Sequence, residues 1–190
     1  MDGREEGNER TRLKAGIQTM TDLRIRDAVS ADSEALLAIY RPFVVETAVS
    51  FELVPPSAAE FEQRVVSAQS QWAWIVAERG GQILGYAYGS SFRSRAAYQW
   101  SVETSAYVRR GHHGQGVGKA LYERLLPILA DKGYCTAYAG ITLPNAASVR
   151  LHQSLGFGEA GVFRRAGWKF GKWHDVSWWQ RELRDRPPEE

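Results

Sequence analysis

Glu103-Thr104-Ser105-Ala106-Tyr107-Val108-Arg109-Arg110-Gly111-His112-His113-Gly114-Gln115-Gly116-Val117-Gly118-Lys119 is the stretch on which the reading of this chain turns. Ala106 and Val108 continue an even-numbered apolar series from Trp100 and Val102, the alternation of a half-buried strand. Glycines at 111, 114, 116 and 118 follow, and then Leu121, Leu125, Ile128 and Leu129 recur at helical spacing. A strand, a glycine turn and a helix in that order can offer backbone N–H groups to an anion, and the helix N-terminus adds roughly half a positive charge. A merely flexible glycine turn is the alternative; the strand-to-helix placement favours the anion site. Two familiar phosphate loops do not fit. A Walker loop would need Gly at 113 and Ser or Thr at 120, where the chain has His113 and Ala120. A Rossmann fingerprint would need Gly at 119, where Lys119 stands.

Outward from this segment, Leu23-Arg24-Ile25-Arg26 alternates as a first strand. Ser30 is placed to cap a helix with Leu36, Leu37, Ile39, Tyr40, Phe43 and Val44 on its apolar side, and Pro42 predicts a kink or break near Arg41. Pro55-Pro56-Ser57 opens a second helix to about Gln69, with Phe61 and Val65 on one face. Trp72 to Ala77 reads as a strand, turned by Gly80-Gly81 into another from Ile83 to about Tyr88. The strand through Glu103 begins near Tyr98. Gly133 ends the glycine-led helix and Cys135 to Ile141 is the next strand, with Cys135 in the core. Pro144-Asn145 starts a helix to about Leu155, stopped by Gly156. Two last strands lie around Gly158 to Ala166 and Trp173 to Glu182. The order β-α-α-β-β-β-α-β-α-β-β implies an α/β domain, a mixed sheet with helices on both faces. That domain is expected over 21–184. Residues 1–20, charged and aperiodic, are expected to form a disordered extension, with Met20 suited as a start, and 185–190 a flexible tail.

Hydrophobic residues at 44% can fill a core and argue against a disordered chain. No apolar run reaches the ~18 residues of a membrane span, and the N-terminus has no apolar signal core. A soluble, cytoplasmic protein with no membrane partner is expected. The single cysteine rules out an intramolecular disulfide and a Cys-based zinc cluster, and His112, His113, His152 and His174 lack metal-site spacing, so no metal is expected. A net charge of +2 is too balanced to imply nucleic acid, and the tryptophans fall mostly in predicted strands as packing residues. No G-x-S-x-G elbow is present. Arginine outnumbers lysine 19 to 5, which favours forked recognition of carboxylate or phosphate.

The strand Glu103–Val108 with its glycine loop resembles motif A of the GCN5-related N-acetyltransferases (GNAT), Q/R-x-x-G-x-G/A, except that His113 replaces the leading Gln or Arg. Leu143-Pro144-Asn145 through Leu155-Gly156-Phe157 resembles their motif B. Three blocks look more narrowly like the phosphinothricin and methionine-sulfoximine acetyltransferases: Ala97-Tyr98-Gln99-Trp100-Ser101-Val102-Glu103, the motif B helix, and Phe170-Gly171-Lys172-Trp173-His174-Asp175-Val176. The resemblance spans about residues 22 to 183. It implies the GNAT fold, a mixed, mostly antiparallel central sheet with helices on both faces. It implies acetyl-CoA as co-substrate without a metal, a small amino acid analogue as acceptor, and direct transfer in a ternary complex. A homodimer is expected, with Trp173, Trp178 and Trp179 either at its interface or packed within one subunit. Cofactor-binding positions would be Ala106, Tyr107 and Val108, the loop residues His113, Gly114, Gln115, Gly116, Val117, Gly118 and Lys119, and Asn145 and Ser148 beside the pantetheine arm.

Moving acetyl from a thioester to an amine needs a neutral amine, a polarised carbonyl and a protonated leaving thiolate. Glu103, mid-strand before the glycine loop, is the candidate base; by parity it shares a face with Tyr107, unless a bulge reverses it. A solvent-facing surface carboxylate is the other reading. Asn145, Ser148 and His152 at i, i+3, i+7 share one helical face, beside Leu151 and Leu155. The family commonly places a tyrosine at the His152 position to protonate the thiolate, and phosphinothricin-type enzymes place His there. His152 could serve as that acid or assist Glu103, or be a satisfied structural histidine. Arg93 is the candidate fork for the acceptor's carboxylate, ahead of Arg95, and Phe51 the candidate pocket wall; a solvated arginine and a core phenylalanine are their alternatives. Another amine acceptor (a different amino acid, a polyamine, a protein N-terminus) or a non-catalytic coenzyme A sensor are the competing functions. A pure binder has no need of the pair Glu103 and His152.

Overall fold

The computed structural model describes residues 23–188. The expected extension, 1–20, lies outside them. Of the expected tail, Pro188 is described and lies against Gly133. Seven strands form one sheet in the order β1-β2-β3-β4-β5-β7-β6: β1 Arg24–Asp27, β2 Trp74–Arg79, β3 Gln82–Ser91, β4 Ser101–Val108, β5 Thr136–Thr142, β6 Gly158–Lys169 and β7 Lys172–Glu182. Every neighbouring pair is antiparallel except β4 with β5. The helices are α1 Ser33–Glu46, α2 Ala58–Gln71, α3 Val117–Asp131 and α4 Ala146–Ser154. Strand alternation splits the core in two. Ile75, Ala87, Val102, Ala139, Ile141 and Trp179 pack with Leu121, Leu125 and Leu129 of α3. On the other face Trp74, Val76 and Tyr86 pack with Leu36, Tyr40 and Val44 of α1 and Phe61 and Val65 of α2. The fold is the expected α/β sheet covered on both faces. Among the described residues no helix is long and apolar enough to cross a membrane.

Several local expectations are corrected. Ser30 does not cap α1. It opens a 3₁₀ turn, Ser30–Asp32, and the Asp32 carboxylate does the work at this end, accepting the Val29 N–H at 2.8 Å and pairing with Arg26 at 2.7 Å. Pro42 does not break α1, which runs on to Glu46. Proline withholds the bond to the carbonyl four residues back, a cost of ~3 kcal/mol. Burial of Leu36, Leu37, Ile39, Tyr40 and Val44 outweighs it at ~1.5–3 kcal/mol per side chain. The strand through Glu103 starts at Ser101 because Ala96–Tyr98 turns as 3₁₀. Cys135 precedes β5 and is partly exposed, its N–H donating to Trp100 O, so it is not a core strand residue. Trp179 is 5% exposed and belongs to the core, which removes it from any interface, while Trp173 stands 46% exposed.

One irregularity positions the site. β4 and β5 pair only over Ser101–Glu103 with Thr136–Tyr138, although β4 continues to Val108 and β5 to Thr142. Past Glu103 the two strands part, and the sheet opens as a wedge at its centre.

Candidate active site

Glu103 is the last β4 residue paired with β5, so it stands at the apex of the wedge. β3 and β4 pair without a register shift, Ser90 opposite Glu103 and Tyr86 opposite Tyr107. Glu103 and Tyr107 therefore share a face, as parity predicts, and it is the α1–α2 face. Burial raises the Glu103 pKa above the usual carboxylate range, and the positive charge of Arg93 opposes the rise. Its carboxylate has no hydrogen-bond partner among the described residues.

On the same face, Tyr138, the β5 partner of Glu103, stacks on Phe92 with centroids 4.0 Å apart. The Arg93 guanidinium sits 4.3 Å from the Phe92 ring and 5.6 Å from that of Trp178 while donating to Phe92 O at 2.8 Å. The buried Trp178 indole N–H lacks a partner among the described residues. A cation and an unused N–H donor thus lie together near a carboxylate, a pairing suited to the two ends of a zwitterion. Phe51 is 38% exposed, packed over Gly167, with its ring 6.2 Å from that of His174 on β7. A groove of about 570 Å³ opens beside it between Val49, Thr142, Pro144, His174 and Asp175. The structure brings Phe51, Arg93 and Glu103 to one face of the sheet.

His152 is on the other face. It is 4% exposed, and both ring nitrogens are engaged: Nδ1 with Ser148 O at 2.8 Å and Nε2 with the Tyr122 hydroxyl at 3.0 Å. The carbonyl partner requires Nδ1 to carry the proton, so Nε2 accepts from Tyr122. Burial lowers the His152 pKa, keeping the ring neutral. The Tyr122 hydroxyl also lies 3.4 Å from Thr104 Oγ1, and Thr104 donates to Tyr138 O at 3.1 Å. Thr104 directly follows Glu103 and points to the opposite face. The structure therefore does not join His152 to Glu103; it joins His152 to Tyr122, whose hydroxyl reaches the wedge apex from behind. Tyr122 was hidden in the sequence inside an apolar helical stripe, Leu121 to Leu129. The available signal was its hydroxyl, which must find a partner when buried.

The glycine loop leads into α3 with positive φ at Gly111, Gly114 and Gly116 (+83°, +74° and +80°), conformations that other residues rarely adopt. Nothing lies within 4 Å of a Cβ built on Gly114 or Gly116. Ser57 caps α2 and Asn145 caps α4, but α3 has no side-chain cap. Its first N–H groups are thus presented at the surface beside exposed His113 and Gln115, where an anion fits. Lys119 lies in the first turn of α3, 3.7 Å from Glu123. Ala106, Tyr107 and Val108 line the β4 edge of the wedge, where the ladder to β5 is missing. Asn145 Oδ1 accepts the Ser148 N–H at 3.1 Å, so both residues have a local capping role as well as a place near the wedge. Among the described residues no cluster of His, Cys, Asp and Glu could hold a metal.

Residues 25–178 match the acetyltransferase (GNAT) domain family. The chain is 38% identical over 161 residues to phosphinothricin N-acetyltransferase of Streptomyces viridochromogenes, covering 85% of this chain and 88% of that protein. It is 34% identical over 172 residues to the L-methionine sulfoximine/L-methionine sulfone acetyltransferase of Salmonella typhimurium, covering 85% and 95%. Among solved structures, a GNAT superfamily phosphinothricin acetyltransferase from Sinorhizobium meliloti, crystallised with acetyl-CoA, superposes with a TM-score of 0.84 at 34% identity, covering 89% of this chain and 92% of that one. Wedge, uncapped helix and relatives agree, and the chain belongs to the GNAT family of N-acetyltransferases.

Proposed function

We propose that the protein transfers acetyl from acetyl-CoA to the amino group of a small amino acid analogue such as phosphinothricin or methionine sulfoximine or sulfone, by direct transfer in a ternary complex. The observation that carries this reading is Glu103: an unpaired, half-buried carboxylate at the wedge apex, on one face with Arg93 and the free Trp178 N–H. The relatives' acceptors, each an amino group beside a carboxylate, match that set. The phosphates of the co-substrate fit the uncapped α3 N-terminus and the open space at Gly114 and Gly116. The parted edges of β4 and β5 fit an extended amide-bearing arm.

The co-substrate supplies the acetyl thioester. Glu103 accepts a proton from the acceptor ammonium, directly or through one water, leaving the amine free to attack; its raised pKa brings it nearer to neutral pH, where proton transfer is efficient. As the C–N bond forms and the C–S bond breaks, charge develops on oxygen and then on sulfur, and the second proton shed by the amine nitrogen passes to the sulfur, directly or through water, so that coenzyme A leaves as the thiol. The Tyr122 hydroxyl, behind the apex, is the donor for that charge, by rotation of its O–H away from His152. His152 is then the residue that orients Tyr122, in place of a direct acid, with Ser148 O fixing its tautomer. Arg93 and Trp178 bind the acceptor's carboxylate, phosphinate or sulfonyl oxygens.

Release of coenzyme A thiol, read with a thiol dye, tests the proposal across phosphinothricin, methionine sulfoximine, methionine sulfone, ordinary amino acids and spermidine. Saturable release with the first three is expected; release with spermidine alone would overturn the acceptor assignment. Glu103→Gln should lose about 10²–10⁴-fold in kcat with acetyl-CoA affinity unchanged. A fully active Glu103→Gln enzyme would remove Glu103 from the mechanism.

A further inference from the structure

The segment Thr47–Val54 that joins α1 to α2 lies over the Glu103 face and is held at four points. Tyr40 OH and Ser50 Oγ are 2.7 Å apart. Glu52 pairs with Arg64 at 2.5 Å. The other two points come from β6, the edge strand. Lys169 Nζ donates to Ser50 O at 2.7 Å and to Val44 O at 2.6 Å, bridging 119 and 125 residues of sequence. The ring of Phe51 lies on Gly167.

Lys169 is 3% exposed, an unusual place for an ammonium, which is seldom buried without partners. Neither bonded partner is a carboxylate. One is a carbonyl of the last turn of α1, a group without an intrahelical donor and at the negative end of the helix dipole. The other belongs to the residue before Phe51. The buried cation is thus committed to fixing a piece of backbone. Gly167 is needed for space: a Cβ there would stand 2.5 Å from Phe51 Cζ and 2.7 Å from Cδ2, where ordinary contact begins at 3.4 Å. A methyl group at 167 requires the ring to retreat by about 0.9 Å from the hairpin. His174, the β7 partner of Gly167, stands on the inner side of the ring with centroids 6.2 Å apart, so a ring displaced inward from Gly167 moves along the line of β7 and β5 that leads to Glu103.

We propose that Gly167 and Lys169 are positioning residues that set the width of the acceptor pocket through Phe51, so that the last hairpin determines which amine side chains are accepted. This rests on the reading of Phe51 as a wall of the acceptor pocket.

The test compares kcat/KM for methionine sulfone, or for the panel amine with the highest kcat/KM, with that for L-alanine. Gly167→Ala should lower the ratio of larger to smaller acceptor about tenfold, the scale of a misfitted methylene in a pocket. Adding Phe51→Leu to Gly167→Ala should restore most of it, a coupling that general destabilisation cannot produce. Lys169→Met should raise the acceptor KM about tenfold with kcat within threefold and acetyl-CoA Kd within twofold. If Lys169→Met does not fold, the Gly167 pair decides alone. Unchanged selectivity in Gly167→Ala, while Phe51→Ala does change it, overturns this proposal and leaves the pocket reading intact. Unchanged acceptor kinetics in Phe51→Ala overturns both.

Discussion

Replacing Tyr122 by phenylalanine removes one oxygen atom and separates two roles. The hydroxyl lies 3.0 Å from His152 Nε2, and Tyr122 and His152 are 1% and 4% exposed. Deleting it forfeits a hydrogen bond worth about 1 kcal/mol and strands a buried ring nitrogen, a further cost of ~1–3 kcal/mol. Partial relaxation of the ring toward Thr104 offsets some of this, and a net loss near 2 kcal/mol is expected. In a domain of this size that lowers the melting temperature by about 4–8 °C. If the same hydroxyl also stabilises developing charge, kcat falls by about 10²–10³ while acetyl-CoA still binds. Calorimetric melting and thiol release, run on one preparation with isothermal titration of acetyl-CoA, read the two effects separately. A lower melting temperature with full turnover would refute the catalytic role and leave Tyr122 as a structural partner of His152. An unchanged melting temperature would refute the buried network itself.

Three other expectations concern charge and donors. With Glu103 as the proposed base, activity should fall in acid as its carboxylate is protonated; since Arg93 holds that pKa down against burial, Arg93→Ala should move the acidic limb of the kcat/KM profile to higher pH, and an unmoved limb would mean the two do not interact. His152 has a lowered pKa in the fold, so the unfolded chain takes up its proton first as pH falls. Its contribution to stability is therefore complete above about pH 6.5 and declines below it. The denaturation midpoint should drop between pH 7.5 and 5.5, with a smaller drop in His152→Gln; equal drops would rule out this source. Trp178→Phe keeps an aromatic face, though a smaller one, and deletes the free N–H, and should raise the acceptor KM about two- to tenfold with acetyl-CoA kinetics unaltered.

Much of this site was legible in the residues because its signals are local. Glycines 114 and 116 stand where φ is positive, and parity alone put Glu103 on the face of Tyr107. Ser57 announced α2, and the structure completes the pattern with Glu60 bonding back to the Ser57 N–H at 2.8 Å. What escaped were contacts between distant segments. Nothing near Lys169 in sequence hints that its ammonium finds Ser50, and nothing near Tyr122 names His152. Ser30 looked like a cap because caps are read from residue type, whereas the electrostatic pairing of Asp32 with Arg26 decided that helix end. Pro42 looked like a break because the packing that overrides it lies outside the local sequence. His152 and Glu103 were grouped by chemistry, and only the sheet, by sending adjacent Glu103 and Thr104 to opposite sides, shows that they lie on different sides.

The parting of β4 from β5 also makes the domain two halves sharing a short seam. One half is the meander β1–β4 with α1 and α2; the other is β5–β7 with α4; within the sheet three residue pairs join them, backed by the α3 layer on one face and by the contacts of Lys169, Phe51 and Phe92 on the other. Anything bridging the open edges takes the place of an absent length of ladder, so binding there would act as a splint across the middle of the molecule. Unliganded protein should then breathe at this seam first, with amide exchange at Thr104–Val108 and Ala139–Thr142 outpacing the rest of the sheet. The tightness of the fold would follow the supply of whatever fills the gap.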